Sequence, residues 1–335
     1  MSARIPEAAR RALDEGTLCY LAAETSRGPH LTPVVFAFES GAVWVTTSRG
    51  SVKARAWRRD PSAAGLVRAG GVAVTFRGAA RSYDVFDPST WAGAAAAGPS
   101  LIGATMRFGL RNARFFAGYA VDASKVPFAW SPPGRVFVRV SLDGGAVLDL
   151  ATGTTVATWG GWDEGPGQAP SPASYHPPAR ARSLDLRVPA EVRRAVGSAG
   201  EGAVALAGDA GTVVLPVRWR RRPSEGAYEA TLPSPFAALT RAPARAPAAL
   251  VVDRLDVWRA AAMRGMMLRG TAQLFSPAVV SRGVRALRER VGPADALVRL
   301  RPSSIVWWRG WSGGTVRASD GVRAPARPHD QRGAG

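Results

Sequence analysis

Residues 21–61 read LAAETSRGPHLTPVVFAFESGAVWVTTSRGSVKARAWRRDP, and this stretch decides the fold class. An apolar run opens it, and two further β-rich runs follow at 30–36 and 43–47. Gly28 and Gly41 stand in the turns between these runs, which is where glycine is favoured. The third run leads through Ser-Arg-Gly into a short helical segment. Strands in series joined by short turns predict an antiparallel β-structure.

The same order of elements recurs 183 positions further along the chain. With this offset and no gap, the matched residues are Pro6 and Pro189, Arg10–Arg11–Ala12 and Arg193–Arg194–Ala195, Ala22 and Ala205, Gly28 and Gly211, and Pro33–Val34 and Pro216–Val217. Each half opens with a short amphipathic helix after a proline, and continues with strands and few helices. This order predicts two antiparallel barrels in tandem within a β-rich α+β chain.

The predicted domain boundaries follow from the repeat and from composition. A first barrel covers 1–150 and carries an Ala/Gly-rich helical insertion at about 88–124. A linker rich in Gly, Pro and Ser covers 151–184, and a second barrel covers 185–317. The polar, Pro/Arg-rich tail at 318–335 is predicted to be disordered.

The turn after the third strand has the composition of an anion site. Ser48, Arg49, Ser51 and Lys53 place hydroxyl groups, free N–H groups and cations at the start of a helix. Unsatisfied N–H groups and the helix dipole both favour negative charge there. Arg49 can bind a phosphate group bidentately, and Lys53 can act as a point charge one turn later.

In the order of their strands and turns and in their residue types, residues 21–61 resemble the pyridoxamine 5′-phosphate oxidase-like family of FMN- and deazaflavin-binding split β-barrels. The resemblance covers residues 5 to about 85 best, and 189–310 more weakly through the repeat. It implies two split barrels that form an intramolecular pseudo-dimer, with a cofactor between them. The residues that it assigns to the cofactor are Thr32, Pro33, Val34, Val35, Ser48, Arg49, Ser51, Lys53 and Arg55.

The second copy lacks the cationic turn. The repeat partners of Lys53 and Arg55 are Phe236 and Ala238, so the second barrel is predicted to be degenerate and the chain to hold one cofactor. Candidates for the second barrel's wall opposite the turn are Arg218, Trp219 and residues 264–266. By contrast, Trp307, Trp308 and Trp311 are expected to close that barrel or cover its edge.

Composition excludes several function classes. The net charge is +19, but the arginines are scattered and only Lys53 and Lys125 are lysines, so we interpret the charge as solvated surface and do not expect a nucleic-acid partner. The uncharged stretch 88–106 is interrupted by glycine and proline, so no membrane span is expected. No secretory signal is apparent, and the single cysteine, Cys19, fits a reducing compartment. We therefore expect a cytoplasmic protein.

These features lead to a functional hypothesis with alternatives. The leading one is an FMN-dependent oxidoreductase acting on a small-molecule substrate, either as a monomeric pseudo-dimer or as a homodimer, with no catalytic side chain identified. The first alternative is a reductase that uses the deazaflavin coenzyme F-420 on the same fold. The second is a non-catalytic protein that binds flavin or haem, the latter through His30. With His176 and His329 far away in sequence, no metal site is predicted.

Overall fold

The computed structural model of the protein describes residues 4–122, 134–162, 183–255, 259–275 and 295–318. Two predicted segments lie largely outside these residues: the linker at 151–184 and the tail at 318–335. The described helices are α1 (Glu7–Glu15), α2 (Val52–Trp57), α3 (Trp91–Arg111), α4 (Ala113–Val121), α5 (Ala190–Val196) and α6 (Ser234–Ala238). None of them is long and apolar enough to cross a membrane.

The first half of the chain forms a closed antiparallel barrel. Its strands are β1 (Leu18–Ala23), β2 (His30–Glu39), β3 (Ala42–Ser48), β4 (Ser62–Ala69), β5 (Val72–Tyr83), β6 (Arg135–Asp149) and β7 (Thr154–Trp159). They are ordered β3-β2-β1-β4-β5-β6-β7, and β3 also pairs with β6. That pairing closes six strands into a barrel and leaves β7 at the edge of the sheet.

The second half repeats this topology. Its strands are β8 (Ala199–Gly208), β9 (Gly211–Arg222), β10 (Ala227–Pro233), β11 (Arg245–Arg254), β12 (Arg264–Phe275), β13 (Asp295–Arg309) and β14 (Ser312–Arg317). Their order is β10-β9-β8-β11-β12-β13-β14, closed by a β10–β13 pairing. The predicted β-rich architecture of two tandem barrels is confirmed.

The repeat extends to the strand register. In the first barrel Tyr20 lies opposite Pro33, and in the second Ala203 lies opposite Pro216, which is the offset seen in the sequence. Both barrels also have a register shift in the same strand pair, after Arg77 in β5 and after Arg269 in β12. A bulge bends its strand and strengthens the local twist, so the two barrels curve at equivalent places.

The barrels pack against one another through a shared apolar core. Leu31 and Leu66 of the first barrel belong to the same buried cluster as Leu215 and Leu250 of the second. Polar contacts also cross the interface: the Tyr20 hydroxyl donates to Asp253 at 3.2 Å. The chain is thus an intramolecular pseudo-dimer, held chiefly by burial of apolar surface.

Helices α3 and α4 lie in the segment where a helical insertion was expected. Helix α3 packs its small and aromatic side chains on the first barrel, where Ala104 and Phe108 are buried. The helix is kinked at Gly98, before Pro99, as expected where proline removes a backbone hydrogen bond. After α4 the chain enters β6 on the wall of the first barrel.

Candidate functional site

A groove of about 580 Å³ lies between the two barrels, and we call it the Lys53 groove. The first barrel contributes one wall from β2, β3 and the start of α2. The second barrel contributes the other wall from β13, β14 and the turn between them. Seven of the nine predicted cofactor residues line this groove: Thr32, Pro33, Val34, Val35, Ser48, Ser51 and Lys53.

Lys53 lies at the polar end of the groove in an unusual environment. Its side chain is only 5% exposed, and its Nζ donates to the Thr32 hydroxyl at 2.6 Å. The pKa of Lys53 is lowered to about 7, chiefly by burial, with an opposing effect of Cys19 and a smaller lowering by the charge of Arg135. A buried ammonium group with one hydroxyl partner is poorly solvated, so an anion in the groove would stabilise its charged form.

The local sequence explains why Lys53 is presented there. The Ser51 hydroxyl accepts a hydrogen bond from the Ala54 amide at 3.1 Å, and so caps the start of α2. It also lies 3.0 Å from the Thr47 hydroxyl. These contacts fix the turn between β3 and α2, and Trp57 anchors the other end of the helix in the barrel core.

Arg135 is a second cation in the groove that sequence reasoning missed. It begins β6 and lies opposite Ser48 in the β3–β6 pair. Its guanidinium donates to the carbonyl and hydroxyl oxygens of Thr46 at 2.7–3.0 Å. One arginine among so many carries no signal of its own. Only the β3–β6 pairing, which is a tertiary feature, brings it beside the turn.

Two predicted phosphate ligands have other surroundings. Arg49 forms a bidentate ion pair with Asp84, at 2.5 and 2.8 Å, and its guanidinium lies 4.7 Å from the centroid of the Phe86 ring. Arg55 lies on the exposed side of α2. Neither is among the residues that line the Lys53 groove. For Arg55 the helical spacing explains this, because it is two residues from Lys53 and residues two apart on a helix point in different directions. For Arg49, which precedes α2, the ion pair with Asp84 explains it.

His30 lines the groove at the start of β2. Burial lowers the pKa of its imidazole to about 3, with further contributions from the charges of Lys53 and Arg269. The ring is therefore neutral at physiological pH. It can offer a neutral N–H group or a lone pair to a ligand, but no positive charge.

The second barrel supplies an aromatic wall. Trp307, Trp308 and Trp311 line the groove, although we expected these rings to serve only the second barrel. Gly313 and Gly314 lie opposite Trp308 and Trp307 in the β13–β14 pair. A Cβ atom at Gly314 would lie 2.7 Å from the Trp307 ring, so glycine at this position makes room for the indole.

The other candidates for this wall lie elsewhere. Trp219 is buried and its indole N–H donates to the Glu201 carbonyl at 3.2 Å, while Arg218 borders a different pocket. The Arg264 side chain donates to Glu191 at 3.2 Å. Arg218, Trp219 and residues 264–266 are all absent from the groove lining.

The charged side chains that line the groove among the described residues are all positive. The described residues that line it include the cations Lys53 and Arg135 and no aspartate or glutamate. The opposite wall combines tryptophan rings with Leu255 and Met263. A cationic end joined to an aromatic and apolar wall suits a ligand that carries an anionic group and a planar ring.

Comparisons with known proteins concern the fold. No protein-family model matches this sequence, and no curated protein matches it. Among solved structures, general stress protein 26 from Bacillus anthracis is 13% identical over 43% of this chain and 92% of its own, with a TM-score of 0.29. An F420 reductase is 17% identical over 42% of this chain and 98% of its own, with a TM-score of 0.29. An FAD-binding protein from Mesorhizobium loti is 14% identical over 44% of this chain and 97% of its own, with a TM-score of 0.28.

Proposed function

We propose that the Lys53 groove binds a phosphorylated flavin-type cofactor, and that the protein is an FMN-dependent oxidoreductase acting on a small molecule. One observation carries the proposal. A single groove joins the buried cation Lys53 and the half-buried cation Arg135 to a wall of three tryptophans from the other barrel. The repeat of topology and register supports a duplication in which only the first copy kept this cationic turn.

The residues present fit such a cofactor. The groove volume of about 580 Å³ falls within the roughly 300–1,000 Å³ typical of small-molecule sites. Within the described part of the chain, the Lys53 ammonium has one hydrogen-bond partner and therefore retains donor capacity for a phosphate group. Ser48 and Thr47 add hydroxyl groups at the same end.

The roles of the chain's own residues follow from their positions. Lys53 and Arg135 would bind the phosphate group, and Thr32 would orient the Lys53 ammonium. Residues 33–35 and the tryptophan wall would enclose the ring system and exclude water from it. A bound flavin would itself supply hydride transfer, so the protein needs only to position and shield the reacting atoms. His30, which is neutral, can donate or accept a hydrogen bond at the groove wall.

The test is the absorbance spectrum of the full-length protein, followed by titration of the cofactor-free protein with FMN. We expect a flavin spectrum and an FMN affinity that falls at least about tenfold in Lys53→Met, because a charge-assisted hydrogen bond is lost. The matched control is Arg10→Gln, which removes one positive charge from the exposed side of α1. It should bind FMN like the wild type.

Parallel titrations of the cofactor-free protein with the deazaflavin coenzyme and with haem distinguish the alternatives. Binding of the deazaflavin coenzyme in preference to FMN would replace the cofactor in the proposal and keep the groove. Haem binding that is lost in His30→Ala would shift the function to a haem protein. If the protein bound none of the three, the proposed function would be wrong.

A further inference from the structure

A buried arginine of the second barrel lies close to the Lys53 groove. Arg269 of β12 is 9% exposed, yet its guanidinium has no hydrogen-bond acceptor and no carboxylate partner among the residues that the structure describes. Burial lowers the pKa of Arg269, and the charges that act on it, those of Arg27 and Arg317, are both positive and lower it further. A buried charge without a counter-charge is costly, and an anion beside the guanidinium would offset that cost.

The strand register places Arg269 next to the groove. Arg269 lies opposite Ser304 of β13, and Ser304 is two residues from Val306, which lines the Lys53 groove. Residues two apart on a strand point to the same face of the sheet, roughly 7 Å apart. Residues directly opposite each other in an antiparallel pair also share a face. Arg269 therefore continues the face of the second barrel that forms the groove, one step beyond the groove lining.

The first barrel meets this face with the start of β2. Met267, two residues before Arg269 in β12, has its sulfur atom 3.3 Å from the Leu31 amide nitrogen. His30, next to Leu31, lines the groove, and the charge of Arg269 contributes to the lowered pKa of its imidazole. Arg269 and His30 therefore lie near one another across the interface between the barrels.

The order of these groups along β2 follows from the contacts. Thr32, two residues from His30 and on the same face of β2, accepts the hydrogen bond of Lys53. Arg27 lies before β2, on the other side of His30, and its charge acts on Arg269. Lys53 is thus at one end of this row and Arg269 at the other, with the neutral imidazole of His30 in between.

The repeat supplies an equivalent arginine that does have partners. Arg77 in β5 directly precedes the register shift of the first barrel, as Arg269 precedes that of the second. The Arg77 guanidinium donates to the Ala210 carbonyl and lies 4.8 Å from the centroid of the Trp162 ring. With the offset of 183, the counterpart of Ala210 is Arg27, so a second cation lies near Arg269 where the first copy has a small neutral residue. The unpaired state is therefore specific to Arg269 and is not imposed by this place in the fold.

We propose that Arg269 forms an anion subsite at the His30 end of the Lys53 groove, and that this subsite binds the carboxylate or phosphate group of the substrate. A guanidinium can donate two parallel hydrogen bonds to either group, and the neutral His30 can add one more. The assignment to the substrate rests on the proposed function, in which Lys53 and Arg135 bind the cofactor phosphate, whereas the anion subsite itself does not. Because an uncharged substrate would leave Arg269 unpaired, the substrate class is that of small organic anions.

The experiment is calorimetric titration of the full-length, cofactor-free protein with inorganic phosphate and, in parallel, with benzoate as a carboxylate. We expect a site whose affinity falls roughly tenfold or more in Arg269→Gln, because a charge-assisted hydrogen bond is lost. Arg269→Lys, which keeps the charge but not the forked donors, should lose less. The matched control is Arg77→Gln, which should bind both anions like the wild type. Preference of the Arg269-dependent site for phosphate would identify a phosphorylated substrate, and preference for benzoate would identify a carboxylate. Melting temperatures establish that the variants are folded.

The outcomes separate this proposal from the proposed function. If Arg269→Gln binds both anions like the wild type, the subsite does not exist, whether or not the protein binds FMN. If the Arg269-dependent site is found in a protein that binds no FMN, the anion subsite stands and the proposed function fails. FMN affinity itself should be the same in Arg269→Gln as in the wild type. A tenfold fall would mean that Arg269 binds the cofactor, and it would overturn the assignment to the substrate.

Discussion

The two contacts between the barrels are topologically equivalent and chemically different. In the first, α2 faces the second barrel across the Lys53 groove, with Gly313 and Gly314 on the opposite strand β14. In the second, α6 and β7 take the places of α2 and β14. There Phe236 occupies the position of Lys53 and is fully buried in the shared core. The position that holds a cation in one copy thus contributes packing in the other.

This difference shows how a repeated fold can divide binding and stability between its copies. A groove needs unfilled space and polar groups at an interface, and both reduce the apolar area that holds the barrels together. On the closed side the turn before β7 lies tightly against the start of α6, since a side chain at Gly153 would approach Pro233 to 2.9 Å. The closed contact therefore stabilises the pair of barrels while the open contact remains available to a ligand.

The largest effect is expected from breaking the closed contact with Phe236→Ala. Phe236 is 1% exposed, and truncation of a buried phenylalanine lowers the free energy of unfolding by about 3–5 kcal/mol. The measurement is urea denaturation. The comparison variant is Lys53→Met at the equivalent position, which removes a poorly solvated buried cation and should not lower stability. Equal losses in the two variants would contradict the division of roles.

The next largest effect is expected in the pH dependence of the free energy of unfolding, through the titration of Lys53. Burial lowers its pKa from 10.5 to about 7, so between these values the unfolded chain binds the proton more tightly than the folded one. The free energy of unfolding of the cofactor-free protein should therefore rise with pH from about 7 upwards, relative to Lys53→Met.

Ligand binding should show the opposite trend. A bound phosphate group raises the pKa of Lys53, so above pH 7 binding takes up a proton. FMN affinity should fall by up to roughly tenfold per pH unit there, and this fall should be missing in Lys53→Met. Titrations at three pH values above 7 measure it, and a slope that is the same in both proteins would rule out Lys53 as the titrating group.

The sequence was sufficient for the fold because both barrels use local signals. Apolar runs, turn glycines and the fixed offset between Pro33 and Pro216 predicted the succession of strands along the chain and the repeat, and the structure reproduces that offset in its register. The groove-lining residues on β2 and at the β3–α2 turn were predicted through the family resemblance, which rests on one contiguous stretch of sequence, residues 21–61.

What the sequence could not predict depends on contacts between distant segments. Arg135 reaches the groove through the β3–β6 pairing, and Trp307 through packing of the second barrel on the first. Arg49 is a residue type that suits a phosphate ligand, but its guanidinium pairs with Asp84, which is 35 residues away in the chain. Nothing in the local pattern around Arg49 indicates that partner.

A smaller effect is expected from Trp307→Leu on the aromatic wall of the groove. Its indole is half-buried at the wall, and loss of an aromatic contact of this kind weakens binding by about 0.5–1.5 kcal/mol. FMN affinity should therefore fall about threefold to tenfold, while affinity for inorganic phosphate at the Lys53 end should not change. If both affinities fell together, Trp307 would support the groove as a whole and would not contact a ring.

The smallest effect is expected from Arg55→Gln, which tests whether the binding site extends along α2 beyond Lys53. Arg55 shares α2 with Lys53 but lies on its exposed side, where solvent screens its charge. FMN affinity should change by less than about twofold, as expected for an exposed charge that makes no direct contact with the ligand. Measuring this variant at low and at high salt sharpens the test. A tenfold loss that persists at high salt would mean that Arg55 contacts the phosphate directly, and the binding site would then extend beyond the Lys53 groove.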